Sequence, residues 1–182
     1  MRLAAPDMDS LNTEQRRVHD VIAGGPRGRV RGPLALWLHR PLLAEAAQNL
    51  GQYCRYGSSL APRLSEIAIL TLVRLWDAEL PWYAHKAEAL KVGVEPEVIE
   101  AIRSSHAPQL KDAAGQAVYR FTMEVSKNRR VSQETYDAAL GAVGSNGLVD
   151  LVGIIGYYSL VALTVNTFEL PLPEGVLPDF PS

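Results

Sequence analysis

The sequence predicts an all-α protein, a single-domain multi-helix bundle of eight or nine helices. Apolar residues recur at three- and four-residue spacing through most of the chain, and no stretch alternates with period two long enough to make a strand. Prolines and glycines stand where helices begin and end. With 182 residues, 47% of them hydrophobic, the chain can bury a core of its own.

Asn12-Thr13-Glu14-Gln15 reads as a capping box, with Val18, Val21 and Ile22 following at helical spacing until Gly24-Gly25-Pro26 stops the helix. Gly25 to Pro33 reads as an Arg/Gly loop, and Pro33 opens a short helix through Leu34, Leu36 and Leu38. Pro41 suits the first turn of the next helix, where its missing N–H costs nothing. That helix places Leu42, Leu43, Ala46, Leu50 and Cys54 on one side and ends near Gly57.

Pro62 begins a helix whose apolar set (Leu64, Ile67, Ala68, Ile69, Leu70, Leu72, Val73, Leu75) is wider than one stripe, predicting burial on most sides. Asp77 to Pro81 connects it to a helix from Trp82 to Val92, with Gly93 at its C-terminal cap. Further helices start at Pro96 and Leu110; the second runs to Lys127. Ser132 caps one through Tyr136, Leu140 and Val143, and an apolar helix runs from Leu148 to Val165. After Leu170, Pro171, Pro173, Pro178 and Pro181 predict an extended arm. The chain thus divides into an N-terminal helix and loop (1–32), a helical body (33–170) and a Pro-rich arm (171–182).

Eighteen basic and twenty acidic residues nearly cancel, which argues against nucleic acid and anionic membrane as partners. Arg27, Arg29 and Arg31 form a local basic stretch that reads as solvated or clamped to carboxylates. The single cysteine, Cys54, excludes a disulfide framework and a Cys-x-x-Cys redox pair. The first ten residues lack the apolar stretch of a secretory signal, and Asp150 with Gly153 and Gly156 interrupts the longest apolar run, so a cytoplasmic protein without a membrane span is the expectation. Neither a phosphate-binding Gly-rich loop nor a Gly-x-Ser-x-Gly elbow occurs. The four histidines are too far apart for a paired His motif, so neither a metal nor another cofactor is expected.

Glu66 is the most informative residue, because it interrupts the apolar run Leu64-Ser65-Glu66-Ile67-Ala68-Ile69-Leu70. A carboxylate there must be paired or protonated. It is either a structural strut, paired with Arg63 or Arg74, or a proton carrier. His85 follows in Trp82-Tyr83-Ala84-His85. With the turn at Asp77 to Pro81, the two residues would sit on adjoining helices with an axial offset of about 10 Å, within reach through a bridging water or substrate. His39-Arg40-Pro41 and Arg55-Tyr56-Gly57 each place a guanidinium at a helix boundary, where it can clamp an anion or cap carbonyls. Tyr157, Tyr158 and Asn166 lie in the last helix as pocket-lining or core residues.

The segments Leu64–Leu70, Trp82–His85 with Gly93 beyond, and His39-Arg40-Pro41, with Gly153-Ile154-Ile155-Gly156-Tyr157-Tyr158 and Asn166-Thr167-Phe168-Glu169-Leu170-Pro171-Leu172-Pro173, resemble the carboxymuconolactone decarboxylase family of the alkylhydroperoxidase-like superfamily. The resemblance covers the chain from about residue 33 onward. It implies an all-α subunit whose two-helix hairpin carries the active site, assembled as trimers or hexamers with pockets at subunit contacts. Glu66 and His85 fall on the Glu and His positions of the peroxidase members. Their two cysteine positions fall on Ala78 and Pro81, which excludes dithiol hydroperoxide reduction. Many decarboxylase-like members carry Glu-Trp before the His; here Pro81 precedes Trp82, and Glu79 stands two residues away as a substitute.

The activity so implied is a cofactor-free carboxy-lyase acting on a small carboxylated lactone or unsaturated acid. His85 and Glu66 would be catalytic, and Arg40, Arg55, Trp82, Tyr157 and His39 would bind substrate. The same pair could serve a lactone or ester hydrolase or an isomerase, and a catalytically inactive oligomeric scaffold is the third possibility. The apolar last helix and the arm's Leu170, Leu172, Val176, Leu177 and Phe180 also predict a homo-oligomer.

Overall fold

Asn12 accepts a hydrogen bond from Gln15 N, and the Gln15 side chain accepts from Asn12 N, closing the capping box that starts α1 (Thr13–Gly24). In the computed structural model, which describes residues 1–180, α2 (Pro33–Trp37), α3 (Pro41–Gln52), α4 (Pro62–Leu75), α5 (Glu79–Lys91), α6 (Pro96–Arg103), α7 (Ala113–Asn128) and α8 (Gln133–Phe168) follow. A π-helical turn, Tyr53–Gly57, continues α3. The protein is all-α, with no strand among the described residues.

The centre of the bundle is α4. Ser65 through Val73 are all buried, because α5, α6, α7 and α8 pack around this helix and leave it no solvent face. Val18 and Ile22 of α1 belong to the same core as Ile67, Leu70 and Val73.

Three boundaries differ from the sequence reading. The helix expected from Trp82 begins at Glu79, because Pro81 falls in its first turn, where no intrahelical N–H is required. The helix expected from Leu110 begins at Ala113, where Asp112 caps it by accepting from Gly115 N. The two C-terminal helices are one element of 36 residues with a single break, at Gly144 (φ +69°, ψ 175°). That backbone is essentially a glycine conformation, so the chain redirects there without a loop.

The expected inner face of α3 is its outer one. Ala44, Ala47, Gln48 and Gly51 are buried, whereas Leu42, Leu43 and Leu50 are exposed, Leu42 by 75%. The small residues let α3 lie close against α1 and α8, which turns its leucines outward. On α8, Val149, Val152 and Leu163 are exposed as well. Helix α8 is long and apolar enough to cross a membrane, yet 56% of its most apolar window is buried inside the bundle.

The Pro-rich arm lies on its own subunit. Asp179 accepts from Trp82 Nε1 (2.8 Å) and Lys86 Nζ (2.6 Å), and the Glu79 carboxylate accepts from the backbone of Asp179 and Phe180. Phe180 packs on Trp82 and beneath the Arg74 guanidinium. Pro181 lies outside the described residues.

Candidate active site

Helices α4 and α5 form an antiparallel hairpin through Trp76–Ala78, closed by Ala78 N donating to Val73 O. Glu66 stands nine residues before the end of α4 and His85 six residues into α5. The axial offset is therefore about 5 Å rather than 10 Å, a consequence of α5 starting a turn earlier than its sequence suggested. The two side chains meet directly: His85 Nδ1 lies 2.8 Å from Glu66 Oε2, with His85 4% and Glu66 9% exposed. With the carboxylate accepting from Nδ1–H, the ring is fixed in one tautomer and Nε2 is left for a reacting group.

Neither arginine expected as a strut touches Glu66. Arg63 pairs with Glu95 and Asp112, and Arg74 with Asp77 and the carbonyl of Arg103. Tyr158 stands edge-on to His85, ring centres 4.7 Å apart, and Tyr157 stands edge-on to Tyr158 at 5.1 Å. Burial pushes the Tyr158 hydroxyl far above its ordinary range, against the pull of Arg55, so it remains a neutral donor. Burial also raises Tyr157, with Arg27 opposing.

Arg55 projects from the π-helical turn, exposed, within electrostatic reach of Tyr157, Tyr158 and Glu88 and over the Tyr56 ring. The turn is tied to α8 by Asp150, which accepts from Tyr53 Oη (2.5 Å), Ser59 N (2.7 Å) and Ser59 Oγ (2.6 Å).

Of the residues the sequence nominated for substrate binding, Arg55 and Tyr157 lie near the dyad, Trp82 stands one helical turn before His85 but is spent elsewhere, and Arg40 and His39 lie away from it. Arg40 starts α3, fifteen residues from Arg55 and so roughly 20 Å along the helix. It lines an open surface cleft with Glu14, Pro41, Leu42 and Leu43. His39 holds the N-terminal segment through Ala4 O (2.8 Å). Trp82 is fully buried and spends its indole N–H on Asp179, so it anchors the arm. Glu79 is turned to the same arm and does not stand in for a carboxylate at position 81.

The sequence reading missed Arg27. Its loop folds back under α3, so that Nη2 lies 3.4 Å from Tyr157 Oη while Nε is buried with no hydrogen-bond partner. The signal was present in the Gly/Pro-spaced arginines, but loop direction is set by packing rather than by local pattern. Ala78 and Pro81, at the expected dithiol positions, are both buried, and Cys54 is buried within electrostatic reach of Tyr157, its thiol pushed up to about 11 by burial. Among the described residues no three His, Cys, Asp or Glu side chains gather closely enough to hold a metal ion.

No protein-family model matches the chain, and no curated protein sequence matches it. Solved structures do. A peroxidase-related protein from Ralstonia eutropha JMP134, described as an alkylhydroperoxidase AhpD core, superposes with a TM-score of 0.76 over 95% of this chain and 92% of its own, at 16% identity. The fold is alkylhydroperoxidase-like. A peroxidase-related protein from Silicibacter sp. TM1040 shares it (TM-score 0.73, 14% identity, 93% and 90% covered), as does the debrominase Bmp8 in its apo form (0.72, 14%, 96% and 94%). In this alkylhydroperoxidase-like bundle the α4–α5 hairpin carries the buried acid–imidazole pair.

Proposed function

We propose that the protein is a cofactor-free, decarboxylase-like lyase acting on a small carboxylated lactone or related unsaturated acid, with Glu66 and His85 as its proton-transfer pair. The observation that carries this reading is the direct 2.8 Å contact between two buried groups, one of which has a ring nitrogen to spare. In the step, the bond from carbon to the leaving carboxylate breaks and its electron pair passes into the conjugated carbonyl. CO₂ departs, and the proton on His85 Nε2 goes to carbon. Glu66 holds the ring and balances the imidazolium charge that precedes transfer. Tyr158 walls off the imidazole, and a water-poor setting favours loss of the carboxylate's charge as CO₂. Arg55 would orient the acid.

The neighbours' printed names speak of peroxidase-related and debrominase proteins; Ala78 and Pro81 supply no thiol for the first by a dithiol route. We also propose that the subunit assembles with copies of itself, as a trimer or hexamer, through the exposed apolar faces of α3 and α8.

The test is turnover of a muconolactone-type acid, followed by loss of absorbance and by labelled CO₂. His85→Ala and Glu66→Gln should each lower kcat by about a hundredfold or more. Ring opening without CO₂ would point to hydrolysis by the same pair, and unchanged turnover in both variants would refute the assignment.

A further inference from the structure

The tip of the C-terminal arm is held as a recognition site holds a peptide. The Glu79 carboxylate accepts from the consecutive N–H groups of Asp179 (3.1 Å) and Phe180 (2.7 Å), and Arg103 Nη1 donates to the Asp179 carbonyl (2.7 Å). The Asp179 carboxylate takes Lys86 Nζ and Trp82 Nε1. The Phe180 ring lies against Trp82, ring centres 5.1 Å apart, with the Arg74 guanidinium 4.6 Å above it. Backbone, acidic side chain and aromatic ring are each met by side chains of α4, α5 and α6, so this corner fits an extended Asp–Phe pair whichever chain supplies it.

The segment that carries the tip is not held. Among the described residues, 171–178 make no hydrogen bond to the helical body, and their one backbone bond is internal, Val176 N donating to Pro173 O (3.1 Å). That bond closes a reverse turn with Gly175 at φ +78°, the left-handed conformation required at the third position of a type II turn. Leu177 is 83% exposed, and Leu172 and Val176 do not join the core. The turn folds the arm back onto its own subunit. Opened, the span from Leu170 to Asp179 reaches about 28 Å at the rise of an extended Pro-rich chain.

We propose that the arm exchanges between copies of this chain: the Pro173–Val176 turn opens, and the Asp179–Phe180 tip of one subunit docks on the α4–α5–α6 corner of another. Docking on either subunit makes the same tip contacts, so the balance rests on the turn, on protein concentration and on the arm's exposed apolar residues, which a second copy can cover. Trp82 and Lys86 of the corner flank His85 along α5. Exchange therefore sets a second copy against the helix that carries His85, whatever reaction that residue serves.

The 2.6 Å Lys86–Asp179 ion pair reports the exchange, because a carbodiimide joins the two groups as an amide with no spacer between them. Full-length chain labelled with heavy nitrogen is mixed with an equal amount of unlabelled chain at a range of concentrations and incubated until the pattern is constant. It is then treated with carbodiimide and digested, and the Lys86–Asp179 linked peptides are measured by mass spectrometry. Links joining a labelled to an unlabelled peptide form only between subunits. They should rise with protein concentration toward about half of all such links. Gly175→Ala places a side chain in the left-handed conformation, where its Cβ meets no atom within 4 Å, so its effect falls on the turn alone. At a concentration where wild type is partly exchanged, it should raise the mixed fraction about fivefold or bring it to saturation. Glu174→Pro presets the turn's second residue and should lower that fraction about twofold or more.

Only like-labelled links at every concentration, or no Lys86–Asp179 link at all, would overturn the proposal. So would turn variants that both match wild type at partial exchange, or a shift of either in the opposite direction.

Discussion

Replacing Asp150 by alanine tests whether one buried carboxylate holds the site's loop to its longest helix. Asp150 is 6% exposed and accepts three hydrogen bonds from Tyr53, which opens the π-helical turn bearing Arg55, and from Ser59, just past its end. Bonds to an ionised acceptor contribute about 1.5–3 kcal/mol each, but three on one side chain are not additive. A net loss of about 3 kcal/mol is therefore reasonable once water reaches the freed donors. For a chain of this size, that corresponds to a drop in Tm of about 6–12 °C. Asp150→Asn keeps one acceptor oxygen and should lose about half as much. Burial pushes the Asp150 carboxyl up, but the bonds from Ser59 and Tyr53 outweigh it and hold the group below its ordinary value. A carboxyl held low in the folded state adds stability above about pH 4 and loses it as the pH falls through the folded value. The Tm gap between wild type and D150N should therefore be full at pH 7 and close on acidification below about pH 4. Scanning calorimetry across that range decides. A D150A protein melting within about 2 °C of wild type at pH 7, or a gap unchanged at pH 3, would refute the reasoning.

Other consequences are simpler to read. Cys54, buried with its thiol pushed up by burial and by Asp150, should resist iodoacetamide and disulfide reagents at neutral pH and react promptly once denaturant unfolds the chain. Gly144→Ala meets no atom within 4 Å, so its whole effect is backbone strain at φ +69°; a loss of about 1–3 kcal/mol in chemical denaturation is expected. Charging the outward apolar faces, as in Leu42→Glu with Val149→Glu, should convert the proposed assembly to monomer in sedimentation while leaving its helical circular dichroism intact.

Most of the fold was legible because helix ends are local chemistry. The Asn12–Gln15 box and the prolines at 33, 41, 62 and 96 each mark a start that the structure shows. Where local chemistry was ambiguous, the reading slipped. Pro81 looked like the end of a turn and is the third residue of a helix, and that single displacement separates a bridged pair from a direct hydrogen bond. Leu42, Leu43 and Leu50 looked like a core face, because hydrophobicity alone cannot tell a surface buried within the subunit from one left outside it.

The same distinction explains why half the candidate site could be read and half could not. Glu66 is conspicuous because the anomaly is one-dimensional: a charge inside an apolar run has to be answered wherever the helix packs. Arg27 carries no such mark, since an arginine among glycines in a loop is ordinary. The enclosure of its Nε requires three separate facts at once, the turn at Gly25–Gly28, the missing side chain at Gly51 and the Tyr157 hydroxyl at 3.4 Å from Nη2. Gly51 by itself reads as a weak spot in a helix, and acquires a purpose only beside residues 24 positions before it and 106 after it. Charges that violate a local pattern announce themselves, whereas charges enclosed by tertiary packing become visible only when the enclosing segments are brought together. Glu66 of the buried Glu66–His85 pair belongs to the first class and Arg27, with its unpartnered Nε, to the second.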